Sequence, residues 1–592
     1  MWTVDEKPPL RVLALLALAV HHSHATDAHH QPAASESETA DLFHVLDPSN
    51  FSSLLQEDLN WATASIPFFE SSDANLTAAY YFRWRVLKRH AIRVANGTGT
   101  DWVITEFTPH VGWAGKDNSI ICAAGHHLID ARWMRDGATE SSAGQVADSY
   151  ASWWTTNLPG VRYNYYGWIA TAILERLKVA GDARFLSLVK KLLPGLQDLV
   201  AKYSNGSLPG SHAGSFFDHD NDCVWNWPNN AGQEHNPAGG GCQPLTNAMM
   251  YSEAASLSQL CELAGDVACA ASFGQSATAF RKRVYRLWNA QIEAFDTLAS
   301  PQPNADRAAR ALPIRHYTDF PDAPILPPDP PFAGVRELSS LSSPWYFGAV
   351  DPSDAPKYAG SWKTAFDPDG LLGQYGLRTA EKRLDPKADP MRHKYPYSCY
   401  SHSCCYWGGP VWPFETAKAL TAAANVLHNA STAEAVSSAG LTRPGLWKLF
   451  AQYTAMHTAA WTITNFTDGS KADYGQLNAS GYFLSGLGLE PSSHNPAMWI
   501  AEAGCADDAT WTDNPSGGYW YEHSTFMDIV LRVVAGLVPN AIGRNPSLRV
   551  QPLLPTDNTL DYFALDAALI GGRVRFLSAF DNTYEQQPTA PH

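Results

Sequence analysis

The sequence predicts a mainly α protein, a toroid of helical hairpins closed by a small C-terminal β element. Helical periodicity recurs over 77–95, 121–134, 145–157, 166–180, 183–203, 245–264, 271–295, 412–428, 444–459 and 523–537, with Gly, Pro and aromatic loops between. Strand-like alternation is nearly absent before 548–553 and 562–578, where YFALDAALIGGRVRFLS has β character on both sides of a Gly-Gly turn. Paired helices over so long a stretch, without a shared repeat motif, exceed a simple bundle. They suggest a ring whose loops gather at one mouth.

In chain order, residues 10–20 (LRVLALLALAV) form an apolar run behind Lys7 and Arg11 that ends at small residues near Ala25, the layout of a cleaved secretory signal over 1–25. Residues 26–54 are rich in His, Ala, Ser and Glu and lack apolar periodicity, so they read as a disordered or irregular N-terminus. The helical toroid occupies 55–540 and the β element 541–592. Within the toroid, 299–331 is Pro-rich and polar and reads as a long surface loop or lid over the mouth.

Composition narrows the function. Of 592 residues, Lys and Arg number 42 against 58 Asp and Glu, a net charge of −16 that opposes binding to nucleic-acid phosphates or anionic membranes. No stretch reaches about 18 uninterrupted apolar residues, so no transmembrane anchor is expected. The 21 Trp include flat faces that suit sugar rings as well as a core, and most are expected in the core. Seven sequons, at Asn50, Asn75, Asn96, Asn205, Asn429, Asn465 and Asn478, fit passage through a glycosylating compartment.

Nine cysteines leave at least one unpaired. The spacings 223/242, 261/269 and 399 with 404 or 405 read as short disulfide staples, because no CxxC or matching His spacing accompanies them. Cys122, in an apolar helical stretch, reads as a buried free thiol.

Four loop stretches combine Trp, Gly and acidic residues, as sugar sites do. TEFTPHVGWAGKDNS (105–119) offers Trp113 for stacking and Lys116 for hydroxyls, followed by Asp136 at the end of RWMRD. DHDNDCVWNWPNNAGQEHNPAGGGCQP (218–244) holds Asp222 and Glu234. CCYWGGPVWPFET (404–416) sets Gly-Gly-Pro between Trp407 and Trp412 before a helix that opens at Pro413. The stretch 494–526 holds Glu502 and Glu522 beside Tyr521 and His523.

The colinear order of GQE (232–234), YWGGPVWP (406–413), WIAEAG (499–504) and YEHSTFMDIV (521–530) resembles the six-hairpin glycoside hydrolases of the mannosylglycerate hydrolase and processing α-glucosidase group. AYYFRWRVLKRH, TEFTPHVGWAGK, GHHLIDARWMRD and the closing LLP and DYFALD extend the likeness over most of 60–578. The resemblance implies an (α/α)6 barrel and inverting hydrolysis by one carboxylic acid and one carboxylate base. Carried over by motif, Glu234 is the acid and Glu502 the base, with Asp222 and Glu522 as their rivals. It does not transfer a substrate.

Chemistry sets the same requirements. The leaving oxygen needs a proton, and inversion needs a second carboxylate about 6.5–9.5 Å away to admit the attacking water. Trp113, Trp407 and Trp412 are expected as platforms or pocket wall, Lys116 and Asp136 as hydroxyl binders, and Tyr521 and His523 as orienters of the base. The long loops favour a closed pocket and exo action.

No metal or cofactor is required. DHDND at 218–222 has the carboxylate spacing of a calcium loop, but Cys223 and Asn229 at its sixth and twelfth positions exclude an EF-hand and leave only an irregular Ca²⁺ site open. His126 and His127 are adjacent and so read as core or loop-bonded histidines. Dinucleotide, P-loop and GxSxG signatures are absent. Two other classes stay in view: a polysaccharide lyase using Tyr163, Tyr165, Arg132 and His402, and a noncatalytic sugar-binding protein.

Overall fold

The computed structural model describes residues 46–96, 99–108, 117–135, 144–181, with 157–164 left out, 183–204, 216–219, 221–226, 232–233, 236–298, 332–373, 376–384, 407, 411–458, 520–542, 546–555, 560–570 and 573–580. Its helices are α1 (Ser52–Leu55), α2 (Leu59–Ser65), α3 (Ala74–His90), α4 (Ile121–Ala131), α5 (Gly144–Thr156), α6 (Ile169–Ala180), α7 (Ala183–Ser204), α8 (Pro244–Ala264), α9 (Val267–Arg286), α10 (Leu338–Tyr346), α11 (Ala355–Tyr358), α12 (Pro413–Leu427), α13 (Ala430–Ser437), α14 (Arg443–Thr458) and α15 (Phe526–Ile529). A π-turn over Val530–Val534 extends α15.

Burial separates two layers. Every residue of α4 is buried, and so is every residue of α12 except Asn425, so these helices have no solvent face. The helix α9, by contrast, buries only Cys269, Ala277, Phe280 and Val284. On α7, the core positions Val189, Leu192, Leu193, Leu196, Leu199, Val200 and Tyr203 recur every three or four residues, the stripe of an amphipathic outer helix. The buried set packs as a closed ring: α4 touches α6, α6 touches α8, α8 touches α10, α10 touches α12, α12 touches α15, and α15 returns to α4. Outer segments α3, α5, α7, α9, Ala359–Phe366 and α14 alternate with them along the chain. This is the (α/α)6 toroid the sequence predicts.

Alternation fixes direction. Each inner helix follows an outer one, so the inner helices run the same way and their N-termini share one mouth. Ring closure requires small residues. A Cβ on Gly125 of α4 would lie 2.1 Å from the Trp168 ring, so only glycine admits the indole there. On α10, Ser339, Ser340, Ser342 and Ser343 are all buried, which explains why its sequence, LSSLSSPWY, shows no apolar period.

Several elements differ from expectation. The helix expected over 77–95 stops at His90, and Ala91–Asn96 pairs antiparallel with Gly99–Ile104 in a hairpin. β-Branched Ile92, Val94, Val103 and Ile104 favour that outcome. The helix expected over 271–295 ends at Arg286 and gives way to the strand pair Trp288–Asn289 and Ala294–Phe295. At the C-terminus, Tyr562–Ile570 and Arg573–Phe580 pair as read from the sequence, and Phe68–Ser71 adds a third strand. The C-terminal strands are thereby tied to the N-terminal part of the chain; Asp566, opposite Phe68, also accepts the Leu46 amide at 3.0 Å.

Disulfides join Cys223 to Cys242 and Cys261 to Cys269, the two described pairs among those expected, and Cys122 is a buried free thiol. Cys399, Cys404, Cys405 and Cys505, like the 299–331 segment, lie outside the described residues. Among the described residues, no helix is long and apolar enough to cross a membrane.

Candidate active site

The four loop stretches singled out in the sequence each lead into an inner helix: 105–119 into α4, 218–244 into α8, 404–416 into α12 and 494–526 into α15. Described contacts join all four. Phe107–Thr108 pairs with Trp520–Tyr521 as a two-stranded ribbon, and the Glu522 amide donates to the Glu106 carbonyl at 3.0 Å. Trp407 stacks on Trp412 at 4.3 Å and 14°, and His523 lies 6.2 Å from Trp412 and 5.7 Å from Phe414, centroid to centroid. Gln233 Nε2 donates to Glu415 Oε1 at 2.7 Å, tying the second stretch to the third.

Histidines line the space between these elements and are held neutral. His126 sits between Phe414 (4.4 Å) and Trp168 (4.8 Å), and burial drives its pKa well below the ordinary value. His127 Nε2 meets the Glu522 carbonyl while its Nδ1 lies 3.0 Å from the Tyr150 hydroxyl. That geometry requires a proton on Nε2 and lets Nδ1 accept from the phenol. Burial lowers the pKa of His127 to about 3 and that of His523 well below its usual value. The pair His126 and His127 reads as core and loop-bonded histidines, as expected.

Under the ribbon, Glu522 is 1% exposed and its Oε2 accepts from Arg83 Nη2 at 2.9 Å. Burial outweighs the guanidinium and pushes the carboxyl up to about 7. Asp130 lies near enough to be influenced by Glu522; its Oδ1 accepts the Asp528 amide at 2.9 Å, and its buried Oδ2 has no partner among the described residues. Burial and these neighbouring carboxyls raise its pKa well above the carboxylate range. Deeper still, Arg132 donates from Nε to Asp528 at 2.9 Å and from Nη1 to Glu175 at 2.6 Å. Arg132 is fully buried in those contacts, so the lyase set loses its cation to the core.

A second group of buried charges frames the 232–239 segment. Glu415 and Lys418 are an ion pair at 2.5 Å with both side chains 0% exposed, and the Lys418 ammonium lies 4.6 Å from the Phe414 ring centroid. Burial lowers the lysine pKa despite its partner. Glu337 accepts from Asn236 Nδ2 at 3.1 Å and from the Ala238 amide at 2.9 Å, and burial raises its pKa to about 8. Glu415 is the acid of the 404–416 stretch, whereas Glu337 and Lys418 do not announce themselves in the sequence, where Lys418 is a lone cation in an Ala-rich helix.

The predicted site residues fall into three sets. Trp407, Trp412, His523 and Glu522 come together at the mouth, and Tyr521 is there by backbone pairing. Asp222 stands apart: it adopts a left-handed φ of 50° on a turn, half-exposed, and pairs with Arg283 (3.0 Å) and Arg286 (3.5 Å) of outer helix α9. Trp113, Lys116, Asp136, Glu234, Glu502, Tyr163 and His402 lie outside the described residues. Gly232 and Gln233, immediately before Glu234, are placed; Gly232 has φ +69°, and a Cβ there would come within 3.1 Å of Cys122 Sγ. Among the described residues, the group with metal-ligand proximity is Asp218 with Cys223 and Cys242, whose sulfurs are joined to each other.

Residues 211–468 match the family model of the mannosylglycerate hydrolase MGH1-like glycoside hydrolase domain, the group that the sequence resembles. Among solved structures, a protein titled sialidase is similar at 23% identity and TM-score 0.64, over 91% of this chain and 40% of that one. The GH63 mannosylglycerate hydrolase from Thermus thermophilus is similar at 11% identity and TM-score 0.39, over 63% of this chain and 91% of that one. The GH78 family rhamnosidase of Bacillus sp. GL1 is similar at 10% identity and TM-score 0.46, over 86% of this chain and 40% of that one. No curated protein matches. The sialidase likeness shows the fold, and the matching domain is that of a glycoside hydrolase family.

Proposed function

We propose that this chain is a secreted, exo-acting, inverting glycosidase in which Glu234 is the general acid and Glu502 the general base. The observation that carries the reading is the junction of four Trp, Gly and acid stretches at the N-terminal mouth of the inner ring. In the proposed step Glu234 gives its proton to the glycosidic oxygen as the C–O bond breaks. Glu502 takes a proton from water, whose oxygen attacks the anomeric carbon from the opposite face. A general acid must stay protonated near its working pH, a requirement that poor hydration helps to meet, and the neighbouring Gln233 is buried. The rival acid, Asp222, is half-exposed and paired with Arg283 and Arg286 of outer helix α9, away from the mouth. The rival base, Glu522, is bound to Arg83 beneath His523, a position that suits a support.

Trp407 and Trp412 use one face of each indole on the other, which suits a pocket wall, while Trp113 is assigned as the open platform. Lys116 and Asp136 are assigned to sugar hydroxyls, and Tyr521 and His523 to the orientation of Glu502. The mechanism uses no cofactor; a Ca²⁺ ion at 218–222, if bound, has a structural role. Secretion is supported by the apolar run at 10–20, by the two disulfides and by the exposure of Asn50, Asn75 and Asn429 in their sequons. We assign 1–25 to the signal, 26–54 to the N-terminal segment, whose Pro48–Phe51 turn and the start of α1 are ordered, 55–540 to the barrel and 541–592 to the β element.

The test is a screen of α- and β-glycosides of mannose, glucose, rhamnose and arabinose, with the first-formed anomer read by NMR. Inversion is expected, and Glu234→Gln and Glu502→Gln should each abolish turnover of unactivated substrates. Retention of configuration, or full activity in either variant, refutes the assignment. Saturable sugar binding without turnover in the wild-type chain points to the binding-protein class instead.

A further inference from the structure

Gln233 and Asn236, the residues on either side of the Glu234 position, are each fastened to a buried carboxyl group, Glu415 and Glu337. Gln233, just before Glu234, donates Nε2 to Glu415 Oε1 at 2.7 Å, and Glu415 also meets Lys418 (2.5 Å) and Ser342 Oγ (3.3 Å). Asn236, two residues after it, donates Nδ2 to Glu337 Oε2 at 3.1 Å, and the Ala238 amide donates to Glu337 Oε1 at 2.9 Å. The Asn236 amide donates to the Gln233 carbonyl at 3.3 Å, so the two fastened ends also meet each other. Gln233, Asn236, Glu337 and Glu415 are all at least nine-tenths buried.

Stability alone gives little reason for this arrangement. A fully buried ion pair such as Glu415–Lys418 gains little over an apolar pair of the same volume, because desolvating two charges offsets their attraction. The Glu415 carboxylate does, however, fix the Gln233 side-chain amide more firmly than an apolar contact, since a charge-assisted bond is short and directional, and Glu337 holds the other end by accepting the Asn236 side chain and the Ala238 amide on its two oxygens. Glu415 lies on inner helix α12 and Glu337 is the residue that precedes inner helix α10, so both acceptors are anchored in the ring. A catalytic proton donor must be held to within fractions of an ångström of the leaving oxygen, and a loop gains that precision only from such supports.

We infer that Glu415, backed by Lys418, and Glu337 are positioning residues that clamp the segment bearing the general acid from both sides. The inference rests on the reading of Glu234 as that acid. It predicts a defect in proton delivery, with substrate binding intact.

The experiment uses the full chain with the methyl and 2,4-dinitrophenyl glycosides of whichever of the four sugars the wild-type enzyme cleaves. Dinitrophenolate departs without a proton and methoxide does not, so a misplaced acid affects only the second. Gln233→Met and Asn236→Ala release the clamp from the loop side and leave the ion pair in place. Because Glu415→Gln alone strands Lys418 and risks misfolding, the double variant Glu415→Leu/Lys418→Met removes the acceptor without a buried charge. For each variant kcat on the methyl glycoside should fall by about 10²-fold. On the dinitrophenyl glycoside the fall should stay within about threefold, with KM moved by no more than about twofold on both. Hydrogen exchange at the Asn236 and Gly239 amides should quicken in the same variants.

Equal losses on both glycosides, or none, overturn the positioning role, as does unchanged exchange. The Glu234→Gln control separates the two ideas. If it keeps full activity the acid assignment fails, and faster exchange in the clamp variants then reports a merely structural fastening. If it is inactive on the methyl glycoside while the clamp variants are not, the acid stands and the clamp falls.

Discussion

Lys418→Met is the substitution whose outcome the burial geometry specifies best. Both members of the Lys418–Glu415 pair are fully buried, 2.5 Å apart, on successive turns of α12. Removing the ammonium leaves the Glu415 carboxylate with Gln233 Nε2 and Ser342 Oγ as its remaining described partners and no counter-charge. Breaking a buried pair from one side costs about 3–5 kcal/mol, because the remaining charge stays desolvated. Replacing both partners, as in Glu415→Leu/Lys418→Met, removes the stranded charge and should return stability to within about 1–2 kcal/mol of wild type. The non-additivity between the two is the diagnostic quantity. Urea midpoints at constant slope give the comparison. A Lys418→Met protein as stable as wild type, or a double variant less stable than the single, refutes the argument that an uncompensated charge sets the cost.

Further outcomes follow from other buried groups. Glu253 on α8 accepts the Ala170 amide at 3.1 Å and the Thr171 amide at 2.8 Å, capping α6 from a neighbouring helix. Glu253→Ala strands both donors and should lower stability by about 2–6 kcal/mol, with Glu253→Gln intermediate; a loss below about 1 kcal/mol by denaturant titration would count against the cap. Gly125→Ala puts a Cβ 2.1 Å from the Trp168 ring and should cost about 3 kcal/mol through displaced packing, read as a lowered melting temperature. For pH, His90 and His127 have folded pKa values lowered to about 3, so the unfolded chain binds their protons first and stability is lost as pH falls from near 6.5 towards 3. Glu253 and Glu522, raised to about 7, and Glu337, raised to about 8, act in the opposite sense: their contribution is complete below about 4.5 and is lost as pH rises through 7 to 8. Melting temperature should therefore be highest in mildly acidic buffer and fall on both sides, and a continued rise from pH 6.5 to 8 would contradict these assignments.

Much of the architecture was legible because periodicity reports burial. Outer helices such as α7 show their apolar stripe directly, and the Ala-rich α12 reads as a helix from propensity. The short staples 223/242 and 261/269 followed from spacing, and the four loop stretches followed from their residue types. What escaped is equally specific. The helix α10 shows no period because close approach in the ring selects serine over leucine. The hairpin after His90 was hidden because its apolar residues continue the helical count of α3 for a few residues before alternating.

Local pattern and residue type were thus enough for the class of fold, for the acidic and aromatic character of the mouth and for the candidate residues of a glycosidase. Which of those residues meet was settled only in the folded ring. Gln233 and Glu415 are 182 positions apart, and Arg83 and Glu522 are 439 apart. Such pairs are set by ring closure, where loop entropy is offset by burial summed over many helices and no local pattern records the partner. The protonation states also belong to the fold, since desolvation in the finished ring, absent from the extended chain, is what holds His127 neutral and raises Glu337.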